Sequence, residues 1–287
     1  KEIIKAVQDT GMVGLGGAAF PTHVKMAVPE GKLVDTILVN GCECEPYLTC
    51  DHRIMLEKIK EIILGINLAA RAVEAREVIV GIEDNTTDAI AALTKDFEQA
   101  PVQEDYTVRV QGLPAKYPQG AEKMLAAALV NREIPAGGLP ADAGLAVFNI
   151  ATLAQLGELL PQQRGLIERV ITITGHGVRR PGNYLIPLGT PLRFVLEYVG
   201  LTEDVREVIL GGPMMGPAVA SFDIPITKGV SGILVRTEEE VGELPEKVYP
   251  CIQCAQCLQA CPMHLNPSRL GILARKRQYE LMQSKYH

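Results

Sequence analysis

Four of the seven cysteines fall within eleven positions, as Cys251-Ile-Gln-Cys254-Ala-Gln-Cys257-Leu-Gln-Ala-Cys261, and Pro262 follows the last. Two-residue spacers let successive thiolates converge on one inorganic cluster. A C-x2-C-x2-C-x3-C-P run is the bacterial ferredoxin spacing, in which the fourth cysteine ligates the other cluster where two are present. A structural zinc site uses paired C-x2-C knuckles separated by a longer loop, or adds histidines. His264 stands nearby, but a lone histidine is more often a surface or capping residue. The run therefore points to a 4Fe–4S cluster on Cys251, Cys254 and Cys257. Cys261 is expected either to serve a second cluster or to be borrowed as the fourth ligand here. Closely packed thiols in odd number, with no export signal, also favour a reducing compartment over disulfides.

A second concentration of chemistry lies near the start. Gly14-Leu-Gly16-Gly17-Ala18-Ala19-Phe20 is a formal G-x-G-x-x-A match. A dinucleotide fingerprint must follow a strand and open a helix. Here Ile3, Ile4 and Val7 precede it with helical spacing, and the first strand comes afterwards. The loop is thus read as a run of small residues that lets backbone amides approach a flat or anionic ligand. Asn40-Gly-Cys42-Glu43-Cys44-Glu45-Pro46 offers hydrogen-bonding side chains directly after a strand. Cys42, Cys44 and Cys50 match no trusted ligand spacing and are read as small buried thiols. Asn149 and Thr152 stand where a strand ends and a helix begins, a place that suits a phosphate or a simple cap.

These residues need a framework. The first half alternates strands at Thr36–Asn40, Val78–Ile82, Tyr106–Val110 and Leu145–Asn149 with helical patterns at Ile54–Val73, Thr87–Phe97 and Gln119–Asn131. Such alternation predicts a parallel sheet covered on both faces, with its ligand at the carboxyl ends of the strands. Past Leu166 the texture becomes strand, strand, helix, strand, strand, over Arg169–Gly175, Gly182–Pro187, Pro191–Val199, Val208–Gly212 and Gly232–Val235. Thr237–Glu246 reads as a solvated acidic connector, and a helical tail carries Arg269, Arg275, Lys276 and Arg277. The expected division is residues 1–165, 166–236 and 237–287.

The 287 residues are 47% hydrophobic and 22% charged, which excludes a disordered chain. A net charge of −6 argues against a general nucleic-acid binder. The most apolar stretch, Ala143–Leu160, contains Asn149, Gln155 and Glu158, so no membrane span is expected. A start at Lys1 suggests part of a longer protein.

Taken together, GLGGAAFPTHVK, VNGCECEPYLTCDHR, KYPQGAEK, REIPAGGLP, HGVRRPGNY, GGPMMG and CIQCAQCLQACPM resemble the RnfC family, the NADH-side subunits of the bacterial Rnf electron-transport complexes. More remotely, the chain is similar to the flavin subunit of respiratory complex I. It departs from the complex I pattern at Leu15, Cys42 and Ala121. The resemblance implies an α/β FMN-binding domain, a small β-grasp module of the soluble-ligand-binding kind and a helical ferredoxin-type segment. It implies FMN along Gly14, Gly16, Gly17 and Lys25, with Asn40, Glu43 and Cys44 at the ribityl chain or ring and Asn149 and Thr152 at the phosphate. NAD(H) would face Phe20, Glu45 and Glu122. A nicotinamide hydride carries two electrons and a cluster accepts one, and a flavin exchanges both ways, so the three belong on one electron path. Partners implied are the membrane and iron–sulfur subunits of an Rnf complex and, through them, ferredoxin. Two clusters are implied for the longer chain. The place implied is the cytoplasmic face of a membrane, with Na+ or H+ moved by the partner subunits. A related corrinoid reductase and a non-catalytic iron–sulfur scaffold are the competing readings.

Overall fold

A computed structural model describes residues 1–100, 105–242 and 249–286. Four strands, β1 (Thr36–Gly41), β2 (Glu77–Glu83), β3 (Thr107–Leu113) and β4 (Leu145–Asn149), form an all-parallel sheet in the order β3-β2-β1-β4. Parallel strands covered on both faces read as unbroken apolar runs. The alternation within each run then divides the core. Ile37, Val39, Val78, Val80, Ile82 and Phe148 pack into one cluster, whereas Leu38, Ile79 and Val147 join Leu125 and Leu129 on the other face.

The connecting helices are α1 (Glu2–Asp9), α2 (Thr22–Met26), α3 (Cys50–Glu57), α4 (Ile59–Val73), α5 (Thr87–Gln99), α6 (Glu122–Val130) and α7 (Ile150–Leu159). The single helix expected over Ile54–Val73 is two helices, broken where Lys58 takes φ −125° and ψ 35°. Ile54 and Met55 before the break and Ile62 and Ile66 after it enter the same core cluster, so the apolar spacing runs through the interruption. Helix α4 crosses α7 at backbone contact. A Cβ on Gly65 would lie 1.9 Å from the Leu153 carbonyl oxygen, and one on Gly157 2.0 Å from that of Glu61.

The second sheet holds β5 (Glu168–Thr174), β6 (Gly182–Pro187), β7 (Val205–Leu210) and β8 (Gly232–Thr237) in the order β6-β5-β8-β7. Central β5 and β8 are parallel and the outer pairs antiparallel, the β-grasp arrangement. Helix α8 (Leu192–Val199) fills its hydrophobic face with Leu192, Val195, Leu196 and Val199 against Ile171, Ile173, Ile233 and Val235. β7 ends before the expected Gly212, because Gly211 turns the chain at φ +119°.

Both sheets belong to one compact body, residues 1–242. Its last element, α9 (Glu238–Val241), occupies the start of the expected acidic connector. The Glu240 carboxylate caps it by accepting from the Thr237 N–H at 3.0 Å. Glu243 and Glu246 of that connector lie outside the described residues. The remaining unit carries α10 (Gln256–Ala260), α11 (Pro267–Arg275) and α12 (Tyr279–Lys285). Asn266 caps α11 by accepting from the Arg269 N–H at 3.0 Å, and Pro267 supplies the first helical position. Among the described residues no helix is long and apolar enough to cross a membrane.

Candidate functional site

The carboxyl ends of β1 and β4 lie side by side, with Asn40 in register with Asn149. Over them opens a cavity of about 260 Å3. Its floor is Val147, Phe148 and Asn149, and one wall is the glycine loop from Gly14 to Phe20. The opposite wall is Gly120, Ala121 and Glu122 at the start of α6.

Each wall is held by a specific contact. The Asn40 amide donates to the Gly120 carbonyl at 2.7 Å and accepts from the Cys42 N–H at 3.1 Å, tying the acidic turn to the α6 wall. A Cβ on Gly120 would lie 2.6 Å from the Cys42 carbonyl oxygen, so only glycine fits this approach. Asn149 caps α7 by accepting from the Thr152 N–H, and the Thr152 hydroxyl accepts from the Leu15 N–H at 2.9 Å. Gly16 packs directly on Asn149, where a Cβ would come within 3.2 Å of the Asn149 Cβ. Gly17, at φ +109°, faces open space. Lys25 and Glu122 form an ion pair between the two walls, each partly exposed.

Of the residues expected to meet a flavin, Gly14, Gly16, Lys25, Asn40, Asn149 and Thr152 line this cavity, together with Phe20 and Glu122 from the nucleotide set. Gly17, Glu43, Cys44 and Glu45 do not. The Glu43 carboxylate turns back to accept from the N–H groups of Asp51 and His52, both at 3.0 Å, at the start of α3. Burial, and then the neighbouring Asp51 charge, push its carboxyl up to about 7 against those two hydrogen bonds. Glu45 reaches the second sheet. Its Oε1 accepts from the N–H groups of Met214 at 2.8 Å and Met215 at 3.0 Å. Burial pushes the thiols of Cys42, Cys44 and Cys50 up, so they remain protonated. Glu43, Cys50 and Asp51 bring ligand atoms within 4.8 Å of one another, but both carboxylates already serve helix caps and side-chain amides.

Two buried residues around the cavity were given no role from the sequence, although Asp51 lies within the VNGCECEPYLTCDHR motif. Asp51 accepts from the Asn149 amide at 2.6 Å, and burial raises its carboxyl despite that bond and the charge of Arg169. Arg169, 1% exposed, donates to the Leu15 carbonyl at 3.1 Å and to that of Lys228. Its signal was legible in the strand alternation. Arg169 shares the inward register with Ile171 and Ile173, where a charge needs a reason.

In the other unit, Cys251, Cys254 and Cys257 are exposed and Cys261 is half-buried. Gln253 and Ala255, one in each two-residue spacer, adopt left-handed φ values of 59° and 62°. No three of the four sulfur atoms lie within 4.8 Å of one another.

Residues 7–158 match the Nuo51 FMN-binding domain, and residues 170–218 match the SLBB domain. The chain is 45% identical over 288 residues to a subunit of the "proton-translocating ferredoxin:NAD(+) oxidoreductase complex" of Clostridium ljungdahlii, matching 100% of this chain and 61% of that protein. It is 42% identical over 284 residues to a subunit of the "Na(+)-translocating ferredoxin:NAD(+) oxidoreductase complex" of Acetobacterium woodii, matching 98% and 62%. The chain thus spans about three fifths of the length of these curated relatives. Among solved structures it resembles the NAD+-reducing NiFe-hydrogenase in the H2-reduced state, with a TM-score of 0.69 and 22% identity over 81% of this chain and 46% of that one. That likeness supports the fold.

Proposed function

The chain belongs to the Nuo51 FMN-binding domain family, and on that premise we propose that it is the FMN- and NAD(H)-binding part of the RnfC-type subunit of an ion-translocating ferredoxin:NAD+ oxidoreductase complex. The observation that carries this reading is the cavity at the paired ends of β1 and β4, walled by small residues and closed by a capped helix start. Its features fit a flavin mononucleotide. Gly16 and Gly17 leave a backbone surface without side chains, and the first amides of α7 favour a phosphate. The donor set Cys251, Cys254 and Cys257 likewise suits a 4Fe–4S cluster, with spacers already turned by left-handed residues.

FMN bound here would supply the exchange between two-electron hydride transfer and one-electron transfer to a cluster. Gly14, Gly16 and Gly17 bring backbone close to the flavin, and Asn40 and Lys25 offer it hydrogen bonds from opposite walls. Asn149 and Thr152 order the phosphate corner. Glu43 and Cys44 act from behind the turn. Phe20, 49% exposed at the rim, provides a flat apolar surface for the nicotinamide. Glu122 answers Lys25 and orients it. Glu45 has given Oε1 to the Met214–Met215 amides, and its Oε2 remains for the nucleotide.

In the longer protein a second cluster would follow, and membrane and iron–sulfur subunits would receive or deliver the electrons that ferredoxin exchanges. The chain would sit peripherally on the cytoplasmic side of the membrane, with Na+ or H+ crossing through its partners. Anaerobic purification with measured FMN and iron per chain, followed by NADH titration of the flavin absorbance, tests this. About one FMN per chain, bleached by NADH, is the expected result. A chain that takes up no FMN, or whose bound FMN is indifferent to NADH, overturns it.

A further inference from the structure

Arg169 is a full charge placed in the core between the two sheets, and none of the flavin contacts proposed for the cavity uses it. Among the described residues its guanidinium does not pair directly with a carboxylate. It donates to two backbone carbonyls from distant loops, Leu15 at 3.1 Å and Lys228. Leu15 stands between Gly14 and Gly16, both on the cavity wall. The Leu15 N–H is held by the Thr152 hydroxyl at 2.9 Å, so both polar backbone groups of Leu15 are fixed.

A chain of contacts runs behind the loop. Leu15 leads to Thr152, Thr152 to Asn149 and Asn149 to Asp51 at 2.6 Å, and Asp51 is near enough for its charge to act on Arg169 without a direct contact. The decisive geometry is that of one peptide unit. The Leu15 carbonyl and the Gly16 N–H belong to the same planar trans peptide and point in opposite directions. With the carbonyl drawn back to Arg169, the Gly16 N–H is turned the other way. Among the described residues that N–H has no backbone partner, and Gly16 lies on the open side of the loop.

We infer that Arg169 of the β-grasp module is a positioning residue for the flavin site, holding the Leu15–Gly16 peptide so that the Gly16 N–H serves as a donor to the bound flavin. The inference rests on the flavin reading of the cavity. It makes the second module part of the cofactor site without touching the cofactor. Arginine suits the task because its fork reaches two carbonyls at once and keeps its charge when buried.

The test uses Arg169→Met, the charge-balanced double variant Arg169→Met with Asp51→Asn, and Arg169→Lys. Each is measured for FMN affinity and for amide exchange in 15N-glycine-labelled protein, with and without saturating FMN. In the wild type, FMN is expected to protect the Gly16 N–H. Both methionine variants should bind FMN at least about tenfold more weakly and lose that protection even when saturated. Lysine, able to reach one carbonyl, should recover part of both. The double variant answers for the case in which Arg169→Met alone does not fold. A folded double variant with wild-type affinity and a wild-type Gly16 exchange rate overturns the inference. If the wild type itself takes up no FMN, the flavin reading falls first. If it takes up FMN and Arg169 proves indifferent, only this inference falls.

Discussion

Glu43 sits where burial and the Asp51 charge favour its neutral form while two α3 amides favour its anion. Burial wins, and the folded carboxyl stands at about 7 against an ordinary 4.5. The proton is therefore held more tightly in the folded chain than in the unfolded one. Below about pH 4.5 both states are protonated; above it only the folded state keeps the proton, so stability falls as pH rises toward about 7. Urea midpoints across that window should decline, and Glu43→Gln should flatten the decline. Gly16 gives a second expectation. Gly16→Leu should lower FMN affinity by at least about tenfold, roughly 1.4 kcal/mol, with far-ultraviolet circular dichroism unchanged, because its side chain would enter both the cavity and Asn149. At this scale the glycine loop, Asn40 and the Asn149–Thr152 corner were legible, since each is a residue type with one conformational or capping use. Glu43 and Glu45 were legible as acids beside a strand end but not in their direction. Which way a carboxylate turns depends on amides at Asp51 and Met214 that no local spacing reveals.

The α4–α7 crossing brings two helices to backbone distance through Gly65 and Gly157. Helix propensity alone would make Gly65→Ala favourable by up to about 1 kcal/mol. The added methyl would stand 1.9 Å from the Leu153 carbonyl, so the helices must part, and the net change should be a loss of about 3 kcal/mol. Chemical denaturation reads the sign directly. Asn149→Ala removes the α7 cap and the Asp51 partner together, for which a loss of about 1–2 kcal/mol is expected. The parallel sheet was readable from the apolar runs of β1, β2 and β4, buried on both faces, and from the alternation of strands with helices that also places the half-exposed edge strand β3. The break at Lys58 was not, since Ile54 and Ile62 serve one core on either side of it. The start of the acidic connector differs for a related reason. Three consecutive glutamates look like a solvated linker, yet Glu240 folds back as a cap and gives α9 its first turn.

Across the whole molecule, the cysteine run stands in a unit of its own and should load independently of the flavin. After anaerobic reconstitution, Cys254→Ser should lower iron per chain severely and abolish the reduced-cluster EPR signal while leaving FMN affinity within about twofold. In a chain of the full length of its relatives, Cys261→Ser should spare that first cluster and damage a second. Loss of the first cluster there would assign Cys261 to the same cubane. The spacing of the run is read directly from the sequence, because a C-x2-C-x2-C pattern is local and needs no long-range contact to be recognised. The part played by the second sheet was legible only as an out-of-place arginine in a strand.

The register pair Asn40 and Asn149 also sets an order in time. Translation reaches Asn40 long before Asn149, by about 5–20 s at ordinary elongation rates. Until β4 arrives, β1 is an open sheet edge able to pair with the wrong chain. Thr152 emerges moments later and Arg169 after it, so a nascent chain that ends before β4 lacks one side of the cradle. On the flavin reading, cofactor insertion is thereby confined to a chain synthesised at least through β4 and the start of α7.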